Sequence, residues 1–118
     1  MILPTYNEAE NIEAVVRASL HRLAEAGGDH TVLIVDDNSP DGTGEIADRL
    51  AGELDPVRVL HRPAKQGLGR SYLAGFAAAL DDGADLVLEM DSDFSHDPAD
   101  LPRLLGATGD ADLVLGSR

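Results

Sequence analysis

Apolar and polar positions along this chain alternate between two periods, one of strands and one of helices. Ile2 and Leu3 read as the tail of a strand. Asn7 then suits a helix cap, with Glu10 three positions on, and Ile12, Val15, Val16, Leu20 and Leu23 follow at helical spacing until Gly27 and Gly28 stop the run. The stretch TVLIVDD at 31–37 is apolar and rich in β-branched residues, as expected of a parallel strand covered on both faces. The turn NSPDGT leads from it into a helix carrying Ile46, Ala47, Leu50 and Leu54. A third strand is predicted over VRVLHR at 57–62. A basic, glycine-rich loop comes next, then a helix from about Gly69 to Asp82 with Leu73, Phe76, Ala77 and Leu80 on one face. LVLEM at 86–90 predicts a fourth strand, Leu101, Leu104 and Leu105 a short helix after Pro98, and DLVLGS at 112–117 a fifth strand.

Strict β-α alternation implies an α/β fold, a mostly parallel sheet with helices on both faces. At 118 residues the chain makes one domain with one core, and nothing in it reads as a linker or repeat. Its first strand has three residues before Pro4, fewer than a strand usually has, so a shortened central strand with exposed edges is expected. No stretch approaches the roughly eighteen apolar residues of a membrane span.

Ligands of such sheets bind beyond the carboxyl ends of the strands. Those exits carry Pro4-Thr5-Tyr6-Asn7-Glu8, then Asp36-Asp37-Asn38, the loop from Arg62 to Arg70, Asp91-Ser92-Asp93, and Arg118. Asp91 and Asp93 lie one residue apart where a strand ends, and Mg²⁺ or Mn²⁺ takes such hard oxygen ligands while leaving positions open for phosphates. By themselves the two aspartates are more simply read as a solvated turn, and it is their place among the other strand exits that favours a cation. Of the adjacent acids Asp36 and Asp37, Asp37 is expected to face a ligand and Asp36 to order the loop. Tyr6 can stack on a base or cover the sheet end, and Glu8 also suits the first turn of a helix.

Charge and composition narrow the chemistry further. A formal charge of −13 with nine Lys and Arg argues against nucleic acid as a partner. Four of those nine, Arg58, Arg62, Lys65 and Arg70, fall between positions 58 and 70, from the third predicted strand into the loop after it, a stretch that is either solvated or turned toward an anion. An acidic site repels a diphosphate unless a cation stands between them, so phosphate and metal binding are expected together. The chain has no cysteine, and its four histidines lack the spacing of a helical zinc site, so any metal is held by oxygen. Gly67-x-Gly69 is followed by Tyr72 where the dinucleotide fingerprint needs its last glycine. Ser95, His96 and Asp97 adjoin in sequence, which is not how a hydrolytic triad assembles.

PTYNE at 4–8, VDDNSPDGT at 35–43, KQGLGRSYLAG at 65–75, MDSDFSHDP at 90–98 and GSR at 116–118 together resemble glycosyltransferase family 2, and within it the polyprenyl-phosphate (dolichol-phosphate) mannose synthases. The resemblance runs the whole chain in order. It implies the Rossmann-like half of a GT-A fold, with residues 1–118 forming the nucleotide-sugar-binding part of a longer catalytic domain. By that resemblance Pro4, Tyr6 and Glu8 hold the base and ribose, and Val35 and Asp37 complete the base pocket. Asp91 and Asp93 bind Mg²⁺ or Mn²⁺ at the diphosphate, Ser92 lies near the ribose, and Arg118 contacts the donor. The implied reaction is a metal-dependent, inverting transfer of mannose from GDP-mannose to a polyprenyl phosphate at the cytoplasmic face of a membrane. The membrane surface would be reached through a C-terminal part or a partner. Three alternatives remain: a family member using another donor such as UDP-glucose, an inert nucleotide-binding module, and a receiver-type signalling domain with Asp36, Asp37 and Asp91 as its acids. The last is disfavoured because a whole β-α unit precedes the acidic strand and no strand-end Lys or Thr follows.

Overall fold

The structure, a computed structural model, describes residues 1–116. Three parallel strands, β1 (Ile2–Thr5), β2 (Val32–Asp36) and β3 (Val57–His61), form an open sheet in the order β1-β2-β3. Ile2 stands beside Leu33 and Thr5 beside Asp36; Val32 stands beside Val57 and Asp36 beside His61. Four α-helices are described: α1 (Ile12–Ala26), α2 (Thr43–Glu53), α3 (Leu68–Asp81) and α4 (Leu101–Ala107), the last entered through a 3-10 turn at Pro98–Asp100.

Right-handed crossovers stepping from β1 to β2 to β3 place α1 and α2 on one face, where they pack on each other and α1 also meets α4. The chain then turns back across the sheet, and α3 lies against β1 and β2. Leu3, Val15, Val16, Ile34, Leu50 and Val57 are fully buried between these layers. Each such side chain contributes about 1.5–3 kcal/mol over leaving it exposed. Gly75 sets the closeness of α3 to β1, because a Cβ there would lie 2.6 Å from Ile2 Cγ2.

The predicted fourth strand is reduced to a single parallel bridge between Ile2 and Glu89. Ile2 donates its N–H to Leu88 O at 2.8 Å and accepts from Met90 N at 3.2 Å, so residues 86–90 follow the edge of β1 opposite β2. Across the sheet the chain thus reads β3, β2, β1, then 86–90. The direction of connection reverses at β1, and the crevice beyond its carboxyl end is the switch point at which open α/β sheets bind ligands. The predicted fifth strand is absent from 112–116, where Leu113 and Leu115 are 75% and 80% exposed. An apolar run identifies residues able to bury themselves, but a strand forms only where a neighbour supplies the ladder.

Two helix expectations also change. α1 begins at Ile12, not after Asn7; Asn7 has φ +58°, and the N–H groups of Asn11 and Ile12 both donate to Glu8 O. In α3 the leucines at 73 and 80 face solvent, 66% and 64% exposed, while Ser71 and Gly75 are the buried positions.

Candidate functional site

The exits of β1 and β2 are stapled together by Asp36. Its carboxylate, 2% exposed, accepts from Thr5 Oγ1 at 2.8 Å, from Ser39 Oγ at 2.7 Å and from Ser39 N at 3.1 Å. Asp36 therefore orders the turn, as its sequence position suggested. Asp41 ties the same turn to the one after β1, accepting from Thr43 N at 3.0 Å and Ala9 N at 3.1 Å. The Thr43 hydroxyl, with lesser help from these backbone donors, holds the Asp41 carboxyl below its ordinary value. Asn7, Asn38 and Phe94 are the non-glycine residues with left-handed backbone among those described; Asn7 and Asn38 follow β1 and β2, and Phe94 lies in the loop after residues 86–90. Asn tolerates that conformation, whereas for Phe it is strained. Such strain concentrates at functional rims.

Asp37 points the other way from Asp36, toward α3. Arg62 Nη1 lies 3.1 Å from its Oδ1, and the Ser71 hydroxyl donates to its Oδ2 at 2.5 Å. Arg62 also donates to Ser71 Oγ and to Gln66 Oε1, each at 3.0 Å. The basic loop is thus only partly solvated: Arg62, 13% exposed, neutralises a buried carboxylate, and Lys65 Nζ lies 4.4 Å above the Tyr6 ring.

The segment after residue 90 is held from three sides. Ser92, buried, donates to Pro4 O at 2.8 Å and binds this loop to β1. Asp91 donates its backbone N–H to His96 Nδ1 at 3.2 Å and accepts on Oδ1 from Tyr72 Oη at 2.8 Å. Burial, and then the bond to Asp91, push the Tyr72 phenol well above its ordinary value, so it remains a donor. Asp93 accepts on Oδ1 from Ser95 N at 2.9 Å, and the Ser95 hydroxyl and N–H hold its carboxyl below the usual range. It is ionised at neutral pH.

These exits enclose a cavity of about 220 Å³. Pro4, Tyr6, Glu8, Asp37, Asp91, Ser92 and Asp93, from three separated motifs, all line it. Val35 does not reach it and is buried in β2, and Arg118 lies outside the described residues. Thr5, Lys65 and Leu68, which stood in the predicted strand exits without an assigned role, also line the cavity, and Ser71 joins them unanticipated. A larger cavity, about 590 Å³, opens at the amino ends of the strands near Met1, Thr31 and Arg58, away from these motifs.

With Asp37 neutralised by Arg62, the acids of the cavity are Glu8, Asp91 and Asp93, set against Lys65. Among the described residues no three His, Cys, Asp or Glu side chains gather closely enough to hold a metal by themselves. Asp91 Oδ2 accepts no protein hydrogen bond among those residues, which leaves it available to a cation. Two carboxylates, with phosphate oxygens and water completing the shell, are a donor set suited to Mg²⁺ or Mn²⁺ at a nucleotide. The residues fit such an ion.

An open parallel α/β sheet with an acidic crevice at its switch point is the architecture of the GT-A glycosyltransferases. Two solved structures share it: S. aureus TarS, residues 1–349, in complex with UDP (TM-score 0.59, 28% identity, 78% of this chain and 26% of that one) and the Pyrobaculum calidifontis mannosyltransferase PcManGT in complex with GDP-Man and Mn²⁺ (TM-score 0.58, 26% identity, again 78% and 26%). The chain belongs to glycosyl transferase family 2, whose model matches residues 1–118. It is 53% identical to the undecaprenyl-phosphate mannosyltransferase of Micrococcus luteus, over 99% of this chain and 46% of that protein. It is 48% identical to the polyprenol monophosphomannose synthase of Mycolicibacterium smegmatis (100% and 44%) and 36% identical to the dolichol-phosphate mannosyltransferase of Pyrococcus furiosus (100% and 32%). The chain spans less than half the length of each of these relatives. No helix among the described residues is long and apolar enough to cross a membrane.

Proposed function

We propose that this chain is the donor-binding part of a transferase that moves mannose from GDP-mannose to a polyprenyl phosphate with the aid of a divalent cation. The observation that carries the reading is the convergence of Pro4, Tyr6, Glu8, Asp37, Asp91, Ser92 and Asp93 on one cavity at the switch point. The mannosyltransferase names of the relatives, and the GDP-Man and Mn²⁺ in one structural neighbour, support the choice of sugar, base and metal.

In this reading Tyr6 stacks on the base, its ring freed as Lys65 swings from it toward the diphosphate. Asp37, kept in place by Arg62 and Ser71, accepts from base N–H groups. A carboxylate suits guanine, which offers two adjacent N–H donors, better than uracil, whose single N–H is flanked by carbonyl oxygens. Asp91 and Asp93 hold the cation, which when bound neutralises the departing nucleoside diphosphate. The acceptor phosphate is already ionised near neutral pH, so the site has no need of a general base, and placing two anions in line for inversion becomes its main task.

Titrating the chain calorimetrically with GDP-mannose and with UDP-glucose, each with and without Mn²⁺, tests this. GDP-mannose is expected to bind with metal and UDP-glucose to bind far more weakly. Metal-independent binding of either donor, or a preference for UDP-glucose, would overturn the assignment.

A further inference from the structure

Ser71 and Tyr72 are adjacent on the first turns of α3, in the KQGLGRSYLAG motif, yet they grip carboxylates from two different segments, the exit of β2 and the loop after residues 86–90. The Ser71 hydroxyl donates to Asp37 Oδ2 and the Tyr72 hydroxyl to Asp91 Oδ1 at 2.8 Å. The Tyr72 ring is itself held, stacked on Phe76 with centroids 6.5 Å apart and planes 27° from parallel. α3 in turn is pressed onto β1 through Gly75, so the hydroxyl is delivered from an element docked on the sheet.

We propose that Tyr72 is a positioning residue for metal binding: by donating to Asp91 Oδ1 it fixes the rotation of that carboxylate and directs Oδ2 to the cation. The inference rests on the reading of Asp91 as a metal ligand. A carboxylate at a strand exit otherwise rotates freely about its terminal torsion, which is broad and two-fold. Anchoring one oxygen removes that freedom before the ion arrives. The backbone of Asp91 is already held by His96 Nδ1, so with Tyr72 both ends of the residue are fixed. Partners that orient a metal ligand in this way typically change metal affinity by about 10- to 100-fold when removed.

The test is Mn²⁺ binding to the full chain in the presence of GDP, followed by the loss of the free-ion electron paramagnetic resonance signal, for the wild type, Tyr72→Phe and Asp91→Asn. Tyr72→Phe keeps the stacked ring and removes the hydroxyl alone. It is expected to weaken Mn²⁺ by about 10-fold or more with an unchanged melting temperature. Wild-type affinity in Tyr72→Phe, with binding lost in Asp91→Asn, would overturn the role of Tyr72 and leave the metal site standing. Undiminished binding in Asp91→Asn would instead overturn the metal assignment, and the inference with it. If Tyr72→Phe melts lower, Phe76→Leu, which loosens the stacked ring but keeps the hydroxyl, carries the decision: weaker Mn²⁺ binding supports the role and unchanged binding overturns it.

Discussion

Arg62 and Arg17 both face carboxylates, but their surroundings give the two pairs very different weight. The Arg17 and Glu13 side chains are 48% and 41% exposed, so water and salt screen them and removing Arg17 is expected to cost less than about 1 kcal/mol. The Arg62 and Asp37 side chains are 13% and 4% exposed. Truncating Arg62 strands a buried carboxylate, for which roughly 3–5 kcal/mol is typical. Urea unfolding of Arg62→Ala and Arg17→Ala should therefore separate the two by about 2 kcal/mol or more; equal losses would mean that water reaches Asp37. The sequence offered Arg62 as one of several cations in a polar loop. Its partner lies 25 positions away, and the parallel pairing of β2 with β3, which sets Asp36 beside His61 and gives the Arg62 N–H to Asp36 O at 2.8 Å, brings them together. Tyr72 was illegible for a different reason, since only the docking of α3 against the sheet brings its hydroxyl to Asp91, 19 positions away. By contrast Pro4, Tyr6, Glu8, Asp37, Asp91, Ser92 and Asp93 could be gathered in advance, because parallel strands force their exits to one rim.

Among the elements, α3 depends most on where its glycines fall. Gly69 and Gly75 share one helix, and an alanine at either would raise intrinsic helix propensity by up to about 1 kcal/mol. Nothing lies within 4 Å of a Cβ at Gly69, whereas at Gly75 that atom would meet Ile2 Cγ2 at 2.6 Å. Gly69→Ala should accordingly stabilise modestly, and Gly75→Ala should destabilise by roughly 1–3 kcal/mol as α3 is pushed off β1. Thermal melts of the two variants decide this, and a rise for both would show that α3 shifts freely on the sheet. Apolar periodicity found the helices and β2 and β3, but it also promised strands at 86–90 and 112–117. Those runs carry the right side chains; among the described residues, 86–90 meets one strand edge and 112–116 meets none. The leucines of α3 misled similarly, since periodicity defines a face without saying what covers it.

At the scale of the molecule, two properties oppose each other. A charge of −13 on 118 residues keeps copies apart at low ionic strength, because each presents a strongly negative field to the next. Against this, Leu73, Leu80, Leu86, Leu113 and Leu115 are all more than half exposed, and the residues following β1's free edge form only one bridge. Exposed apolar surface of this kind drives association once repulsion is removed. At about 1 M salt the screening length falls to about 3 Å, and apolar contact then decides. Sedimentation velocity should therefore show larger species at high salt than at low salt. Leu73 and Leu80 lie seven positions apart on one face of α3, so the double variant Leu73→Gln, Leu80→Gln should shrink that salt-induced shift. As both side chains already face water, its stability should stay within about 0.5 kcal/mol of the parent. If association instead weakens as salt rises, ion pairs between copies drive it and the leucine face plays no part.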